Sequence, residues 1–294
     1  MLLEIGGPVR VAEWAGPHTA TIVCLHGVGG SALHWGAVAP ALARHGRVLA
    51  LDQVGHGETP RAGRSAAIGP AQQVLARVLR AEHARPAVLV GHSMGAAVAV
   101  LEAVRDPGAV RALVLTSPLL PPSWPGRSDR ASLARYLGLR AGMRARAAAR
   151  SLRERPSLER TIERGLRGGA ADPRAIDARL VRESVALARA AGTRETGRAF
   201  AGAARSAFAT VARGDAFRAL LDRIACPVLL LHGGRDHTVP LAFAARVARD
   251  HPAWRLEVFP ELGHLLQLED PARWSDAVEP WLAGILAAGL SPGW

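Results

Sequence analysis

The chain has 294 residues, which is enough to bury the core of one large α/β domain or of one domain carrying an insertion. Its 37 basic residues are all arginine, and the lack of lysine excludes a phosphate-loop lysine, a Schiff-base lysine and a pyridoxal-phosphate anchor. No apolar run reaches about eighteen residues and the first residues lack a secretory signal, so we expect a soluble, cytoplasmic protein without stable membrane insertion.

Short apolar runs alternate with helical stretches in the first part of the chain. Runs rich in Val, Leu and Ile are typical of parallel strands whose two faces are both covered by helices. The pattern therefore predicts a doubly wound, mostly parallel sheet. The apolar runs that predict its strands cover residues 9–14, 20–25, 47–51, 87–90 and 109–115.

The segment 118–225 differs from the rest of the chain in both charge and pattern. It holds 22 arginines and 10 acidic residues, so it carries the whole formal net charge of +12. No strand pattern is found there, whereas Ala, Arg and Leu recur at helical spacing over residues 129–153 and 173–191. We therefore predict a helical insertion between the two blocks of one core, residues 1–117 and 226–294.

The alternation of strands and helices resumes after the insertion. Apolar runs over residues 227–231 and 254–259 predict two further strands. Helical spacing over residues 241–249 and 272–286 predicts two helices. These elements complete the sheet that the first block begins.

A G-H-S-M-G pattern at residues 91–95 separates a predicted strand from a helix of small residues. Strand, turn and helix together indicate a nucleophile elbow, in which Ser93 takes a strained backbone conformation and presents its hydroxyl. Gly91 and Gly95 are needed because side chains there would collide as strand and helix close together. The Met94 amide and the positive end of the helix dipole lie beside the hydroxyl, where they suit a developing oxyanion.

With this elbow the chain resembles the α/β-hydrolase family, in particular its small capped bacterial members of esterase and lipase type. The resemblance implies an eight-stranded sheet with a helical cap inserted after strand 6. It also implies that a His-Gly-X turn donates a second amide to the oxyanion hole, and the H-G-V sequence at residues 26–28 points to the Val28 N–H. The D-x-x-G-x-G loop that begins at Asp52 is interpreted as structural, with no catalytic role for Asp52 or His56.

In this family the catalytic residues follow each other in the order serine, acid, histidine. His264 lies in the loop after the predicted strand 254–259, where the family's catalytic histidine is found. Asp236 lies after the predicted strand 227–231, in a stretch that resembles the family's G-x-x-D-x-x-V-P loop. The resemblance therefore assigns Ser93 as nucleophile, His264 as base and Asp236 as the acid that orients the base.

The other histidines and the cysteines are not expected to bind a metal. His92, His232 and His237 lack the paired spacing with a carboxylate that metal ligands show, and the predicted chemistry requires no cofactor. Cys24 and Cys226 lie in or beside apolar strands, so we predict two free thiols and no disulfide.

The predicted function is hydrolysis of a carboxylic ester, or a related acyl bond, of a small molecule through an acyl-enzyme on Ser93. Thioesterases, lactonases, C–C bond hydrolases and cofactor-free perhydrolases share this triad, and the sequence does not separate them. A ligand receptor or scaffold on the same fold is the alternative from another class, but the complete triad favours an enzyme. The arginines of the insertion are compatible with an acyl carrier protein or an anionic surface as a partner. The preferred interpretation is that they form a solvated helix surface, and nucleic acid is not expected as a partner.

Overall fold

The computed structural model describes residues 1–121 and 157–288, and its centre is one eight-stranded sheet. The strands are β1 Leu2–Glu4, β2 Pro8–Trp14, β3 Thr21–Leu25, β4 Arg47–Leu51, β5 Ala87–His92, β6 Val110–Thr116, β7 Val228–Gly233 and β8 Arg255–Phe259. They lie in the order β1-β2-β4-β3-β5-β6-β7-β8. β2 pairs antiparallel with β1 and with β4, and the other pairings are parallel. The mostly parallel, eight-stranded sheet is therefore confirmed.

Helices follow most of the parallel strands. No helix in the described ranges combines the length and the apolar character that a membrane span requires. The helices are α1 Ala39–Leu42, α2 Ile68–Ala81, α3 Met94–Arg105, α4 Leu158–Gly169, α5 Ala178–Ala191, α6 Thr193–Ala212, α7 Gly214–Leu221, α8 Leu241–Asp250, α9 Leu266–Glu269 and α10 Pro271–Ala287.

The sheet has a hydrophobic core on each face, which explains why its central strands are continuous apolar runs. Every residue of β5 is buried, because successive side chains point to opposite faces and both faces are covered. Leu89 of β5 belongs to the core that contains α2 and α3. Val90 belongs to the other core, where it is grouped with Trp35 and with Trp274 of α10.

The helical insertion after β6 is confirmed over the part of it that the structure describes: residues 157–225 form helices and contain no strand. The helix predicted over residues 173–191 is interrupted. Pro173–Ala175 forms a short 3-10 turn, and α5 begins only after Asp177, whose carboxylate accepts a hydrogen bond from the first turn of α5 (2.7 Å). The helix predicted over residues 129–153 lies outside the described residues, and the boundaries between core and insertion stay predictions.

Candidate active site

A single residue, Ser93, separates β5 from α3. Its backbone angles are φ 52° and ψ −114°, a combination that residues with a side chain rarely adopt. The amide of Ser93 donates to Thr116 O of β6 (3.1 Å), and its carbonyl accepts from Leu119 N (3.1 Å), so the neighbouring chain holds the strained residue in place. The turn is tighter than the sequence predicted, because β5 continues to His92 and α3 begins at Met94.

Two glycines allow the chain to make this turn. A Cβ atom at Gly91 would lie 2.5 Å from Ala96 Cα, and a Cβ atom at Gly95 would lie 2.1 Å from Leu25 O. Both neighbours are backbone atoms, which do not rotate aside as the end of a flexible side chain does. The collision predicted for side chains at Gly91 and Gly95 is therefore confirmed.

The turn after β3, which is predicted to complete an oxyanion hole, lies against the elbow. A Cβ atom at Gly27 would lie 3.1 Å from Ser93 Cβ. Neither the Val28 amide nor the Met94 amide donates a hydrogen bond to another residue in the ranges that the structure describes. Within those ranges both amides are thus left for an external acceptor, as the predicted oxyanion hole requires.

The peptide between Gly27 and Val28 is fixed through its carbonyl. Gly27 O accepts hydrogen bonds from Gly30 N (3.1 Å) and from His26 Nδ1 (2.7 Å). His26 carries its proton on Nδ1 because its Nε2 accepts from Gln53 N (3.0 Å), and burial holds the pKa of His26 well below its ordinary value. Since the N–H and C=O of a trans peptide point in opposite directions, the Val28 N–H points away from both donors.

Asp236, which follows β7, and His264, which follows β8, are joined by a hydrogen bond of 2.7 Å between Oδ2 and Nδ1. The other carboxylate oxygen, Oδ1, accepts from Thr238 N (2.6 Å) and Val239 N (2.8 Å). Because a carboxylate only accepts, Nδ1 of His264 carries a proton, and in the neutral ring the lone pair therefore lies on Nε2. Burial alone would raise the pKa of Asp236, but the hydrogen bond and charge of His264 and the Val239 amide hold that pKa below its ordinary value.

His264 is placed beside the elbow by His92. His92 Nε2 donates to His264 O (2.9 Å), and the centroids of the two rings are 4.8 Å apart. Among the described residues no hydrogen bond joins the Ser93 hydroxyl to His264, and such bonds often tighten only when substrate is bound. The structure thus brings Ser93, Asp236 and His264 to one region and joins the last two directly.

A family model described as alpha/beta hydrolase fold matches residues 20–271. The chain belongs to the α/β-hydrolase family. It is 31% identical over 259 residues to a pimeloyl-[acyl-carrier protein] methyl ester esterase of Chromobacterium violaceum, which covers 83% of this chain and 86% of that protein. It is 30% identical over 269 residues to a dihydrolipoyllysine-residue acetyltransferase component of an acetoin cleaving system of Pseudomonas putida; the match covers 90% of this chain and only 64% of that protein.

Solved structures share the fold over nearly the whole chain of this α/β hydrolase. A serine hydrolase from Cycloclasticus zankles matches with a TM-score of 0.75 and 21% identity, covering 97% of this chain and 98% of that one. A putative lipase from Acinetobacter baumannii matches with a TM-score of 0.77 and 20% identity, covering 98% and 92%. At such identities the likeness concerns the fold, whereas the family match and the esterase relatives make the chain a hydrolase.

The carboxylate of Asp52 has the structural role that the sequence predicted. Its Oδ1 accepts from Ala32 N (2.7 Å) and its Oδ2 accepts from Glu58 N (2.8 Å). A Cβ atom at Gly57, whose φ is +54°, would lie 2.2 Å from Asp52 Cγ. Asp52 therefore ties two loops of this α/β hydrolase together, and only glycine fits beside it at residue 57.

Both cysteines of this α/β hydrolase are free thiols, Cys24 buried and Cys226 half-buried, as predicted. Over residues 1–121 and 157–288, no three His, Cys, Asp or Glu side chains are arranged to hold a metal. His232 instead lies behind the acid: its Nε2 is 2.9 Å from Val239 O and 3.5 Å from Asp236 Oδ2. Neither this contact nor that of His92 could be predicted from the sequence.

Proposed function

We propose that this α/β hydrolase is a serine hydrolase that cleaves a carboxylic ester, or a related acyl bond, of a small-molecule substrate. The observation that carries the proposal is the 2.7 Å hydrogen bond between Asp236 Oδ2 and His264 Nδ1. This bond selects the tautomer whose Nε2 accepts a proton, which is what a general base acting on Ser93 requires.

In the proposed reaction, His264 Nε2 takes the proton of the Ser93 hydroxyl while Ser93 Oγ attacks the acyl carbonyl. Asp236 stabilises the imidazolium that forms, and the amides of Val28 and Met94 bind the oxyanion. His264 then returns the proton to the leaving alcohol, which leaves an acyl-enzyme on Ser93. Water activated by His264 releases the acid, and no step calls for a cofactor.

An aromatic ring near the candidate oxyanion hole supports a substrate with an apolar acyl group. Phe200 of α6 is 52% exposed, although it is a large apolar side chain. A Cβ atom at Gly29 would lie 3.1 Å from the Phe200 ring, so the ring lies one residue from the candidate oxyanion donor Val28. An exposed aromatic ring at this position favours substrates with an apolar acyl chain.

The relatives support ester chemistry, and the charges of the insertion favour a small substrate over a protein partner. The relatives from Chromobacterium violaceum and Aromatoleum aromaticum are named as methyl ester esterases for pimeloyl-acyl carrier protein. In the described part of the insertion, however, several arginines are paired with neighbouring carboxylates, which weakens the attraction of those arginines for an acidic partner. Such pairs are Arg167 with Glu163 (3.0 Å), Arg179 with Glu183 (2.7 Å) and Arg198 with Glu195 (2.9 Å).

The test is covalent labelling with a fluorophosphonate probe followed by turnover of p-nitrophenyl esters. Ser93→Ala should abolish labelling and reduce turnover by several orders of magnitude without changing the circular dichroism spectrum, because only the nucleophile is removed. Ser65→Ala, an exposed serine, is the matched control and should behave like the wild type. Normal turnover by folded Ser93→Ala protein would refute the proposal.

A substrate panel then separates the acyl classes. Matched neutral and acidic esters, thioesters, lactones and a C–C bond substrate are compared by kcat/KM. We expect neutral esters with apolar acyl chains to react fastest. A hundredfold preference for acidic esters that disappears with added salt would instead assign the arginines of the insertion to substrate binding.

A further inference from the structure

The loop that carries His264 is held by one carboxylate, that of Glu269 at the end of α9. Glu269 accepts from Gly263 N at 3.1 Å (Oε1) and 3.0 Å (Oε2), and from Leu265 N at 3.1 Å (Oε1). Gly263 and Leu265 are the two residues that flank His264. Their amides therefore share a single charged acceptor.

The same carboxylate reaches across to the helical insertion. Its Oε2 accepts from Ala171 N (2.7 Å), two residues beyond Gly169, whose carbonyl accepts from His264 N (2.8 Å). A Cβ atom at Gly263 would lie 2.6 Å from Ala171 N, so the two backbones are in direct contact. All three successive amides of the His264 loop are thus bound, two by Glu269 and one by the insertion.

The hydrogen bonds to the amides of residues 263–265 fix the position of the His264 backbone, which the hydrogen bond to Asp236 does not fix. The hydrogen bond to Nδ1 selects the tautomer of His264, but the ring could still pivot about that bond if its backbone moved. The direction of Nε2 therefore depends on the position of the His264 backbone. A shift of about 1 Å in a reacting group is enough to reduce turnover by about a hundredfold.

We infer that Glu269 is a positioning residue for His264, and this inference rests on the proposed function. Hydrogen bonds to a carboxylate are roughly twice as strong as those between neutral groups, and here one carboxylate holds both neighbours of the base and the insertion. A glutamine side chain at this position has the same shape but only one accepting oxygen. Its NH2 group is set against at least one of the amides that Glu269 now binds.

The experiment compares Glu269→Gln with Glu261→Gln in the full-length protein, well below the melting temperature of each. Glu261 is the matched control, because it lies in the same loop, its side chain is 61% exposed and it pairs with Arg273 at the surface (2.9 Å). For Glu269→Gln we expect kcat to fall about tenfold or more with KM within about threefold, and fluorophosphonate labelling of Ser93 to slow by a similar factor. The far-downfield proton resonance of His264 Nδ1–H should shift or broaden. Glu261→Gln should match the wild type in all of these.

If Glu269 were purely structural, Glu269→Gln would lower the melting temperature, but its kcat, labelling rate and resonance would match those of Glu261→Gln. That result would overturn the inference. If Glu269→Gln does not fold, Glu269→Asp replaces it under the same criteria, because it keeps the charge but shortens the reach. A wild-type protein that is not labelled at Ser93 would overturn the proposed function and this inference together. A labelled wild type with an unaffected Glu269→Gln variant would overturn the inference alone.

Discussion

Replacing Asp236 with asparagine should reverse the tautomer of His264 and leave the surrounding loop in place. In the native loop Oδ1 accepts from Thr238 N and Val239 N at 2.6 and 2.8 Å. The asparagine oxygen should keep that position, because the opposite orientation sets its NH2 group against two N–H donors. The NH2 group then faces His264 Nδ1, which must accept. The ring proton moves to Nε2, and the ring no longer accepts the proton of Ser93.

The expected loss in kcat/KM is about 10⁴-fold, the size that the same substitution produces in a comparable triad. At 1.36 kcal/mol for each factor of ten, this corresponds to about 5 kcal/mol of transition-state stabilisation. The free energy of unfolding should change less, by about 1 to 3 kcal/mol, because one charge-assisted hydrogen bond becomes a neutral one. Activity and stability should therefore separate clearly.

The assay is kcat/KM for p-nitrophenyl acetate, with a thermal melt to show that each variant is folded. Asp52→Asn is the matched control, because Asp52 is also buried and also accepts two backbone amides but lies outside the candidate triad. It should lower the melting temperature and keep kcat/KM within about tenfold of the wild type. A folded Asp236→Asn enzyme that retained a tenth of wild-type activity would refute the tautomer argument.

Two further predictions concern the stability of the fold. Gly95→Ala should destabilise the protein by about 3 kcal/mol or prevent folding, since the new Cβ would lie 2.1 Å from Leu25 O. Gly284→Ala, in α10 with nothing within 4 Å of the new Cβ, is the control and should be neutral or slightly stabilising. Equal effects of the two substitutions in urea denaturation would contradict this prediction. Burial lowers the pKa of His34 to about 4. Below about pH 6.5 the unfolded chain therefore binds a proton that the folded protein does not. Between pH 7 and pH 4 the wild type should lose about 3 kcal/mol more stability than His34→Gln. Parallel stability curves for the two proteins would show that His34 titrates normally.

The elements that the sequence predicted correctly are those whose local pattern matches their burial. Strands β3 to β7 are buried on both faces, and their continuous apolar runs were therefore visible. Strand β1, Leu2–Glu4, was not predicted at a definite position, because it is three residues long, lies at the sheet edge and is largely exposed. Helix α6 lies in the insertion that was predicted to be helical, but it was not predicted as a separate element. It buries Ala199, Ala203 and Ala207, which recur every fourth residue, but alanine gives a weak hydrophobic signal.

The residues of the candidate site divide in the same way. Ser93, Asp236 and His264 stand in short motifs at the ends of strands, so their types and positions could be predicted. The roles of His92 and Glu269 depend on contacts between residues far apart in the chain: His92 meets a residue 172 positions away, and Glu269 meets one 98 positions away. Only the tertiary packing of the insertion and the loop after β8 creates those contacts.

Because Gly169 O accepts from His264 N and Ala171 N donates to the Glu269 side chain, the helical insertion cannot be exchanged independently of the core. A chimaera that exchanged the whole insertion for that of a relative would lose the acceptor for His264 N and the Ala171 donor to Glu269. It would then change the base as well as the pocket. Crossovers that keep residues 157–171 with the core should transfer substrate preference without this loss.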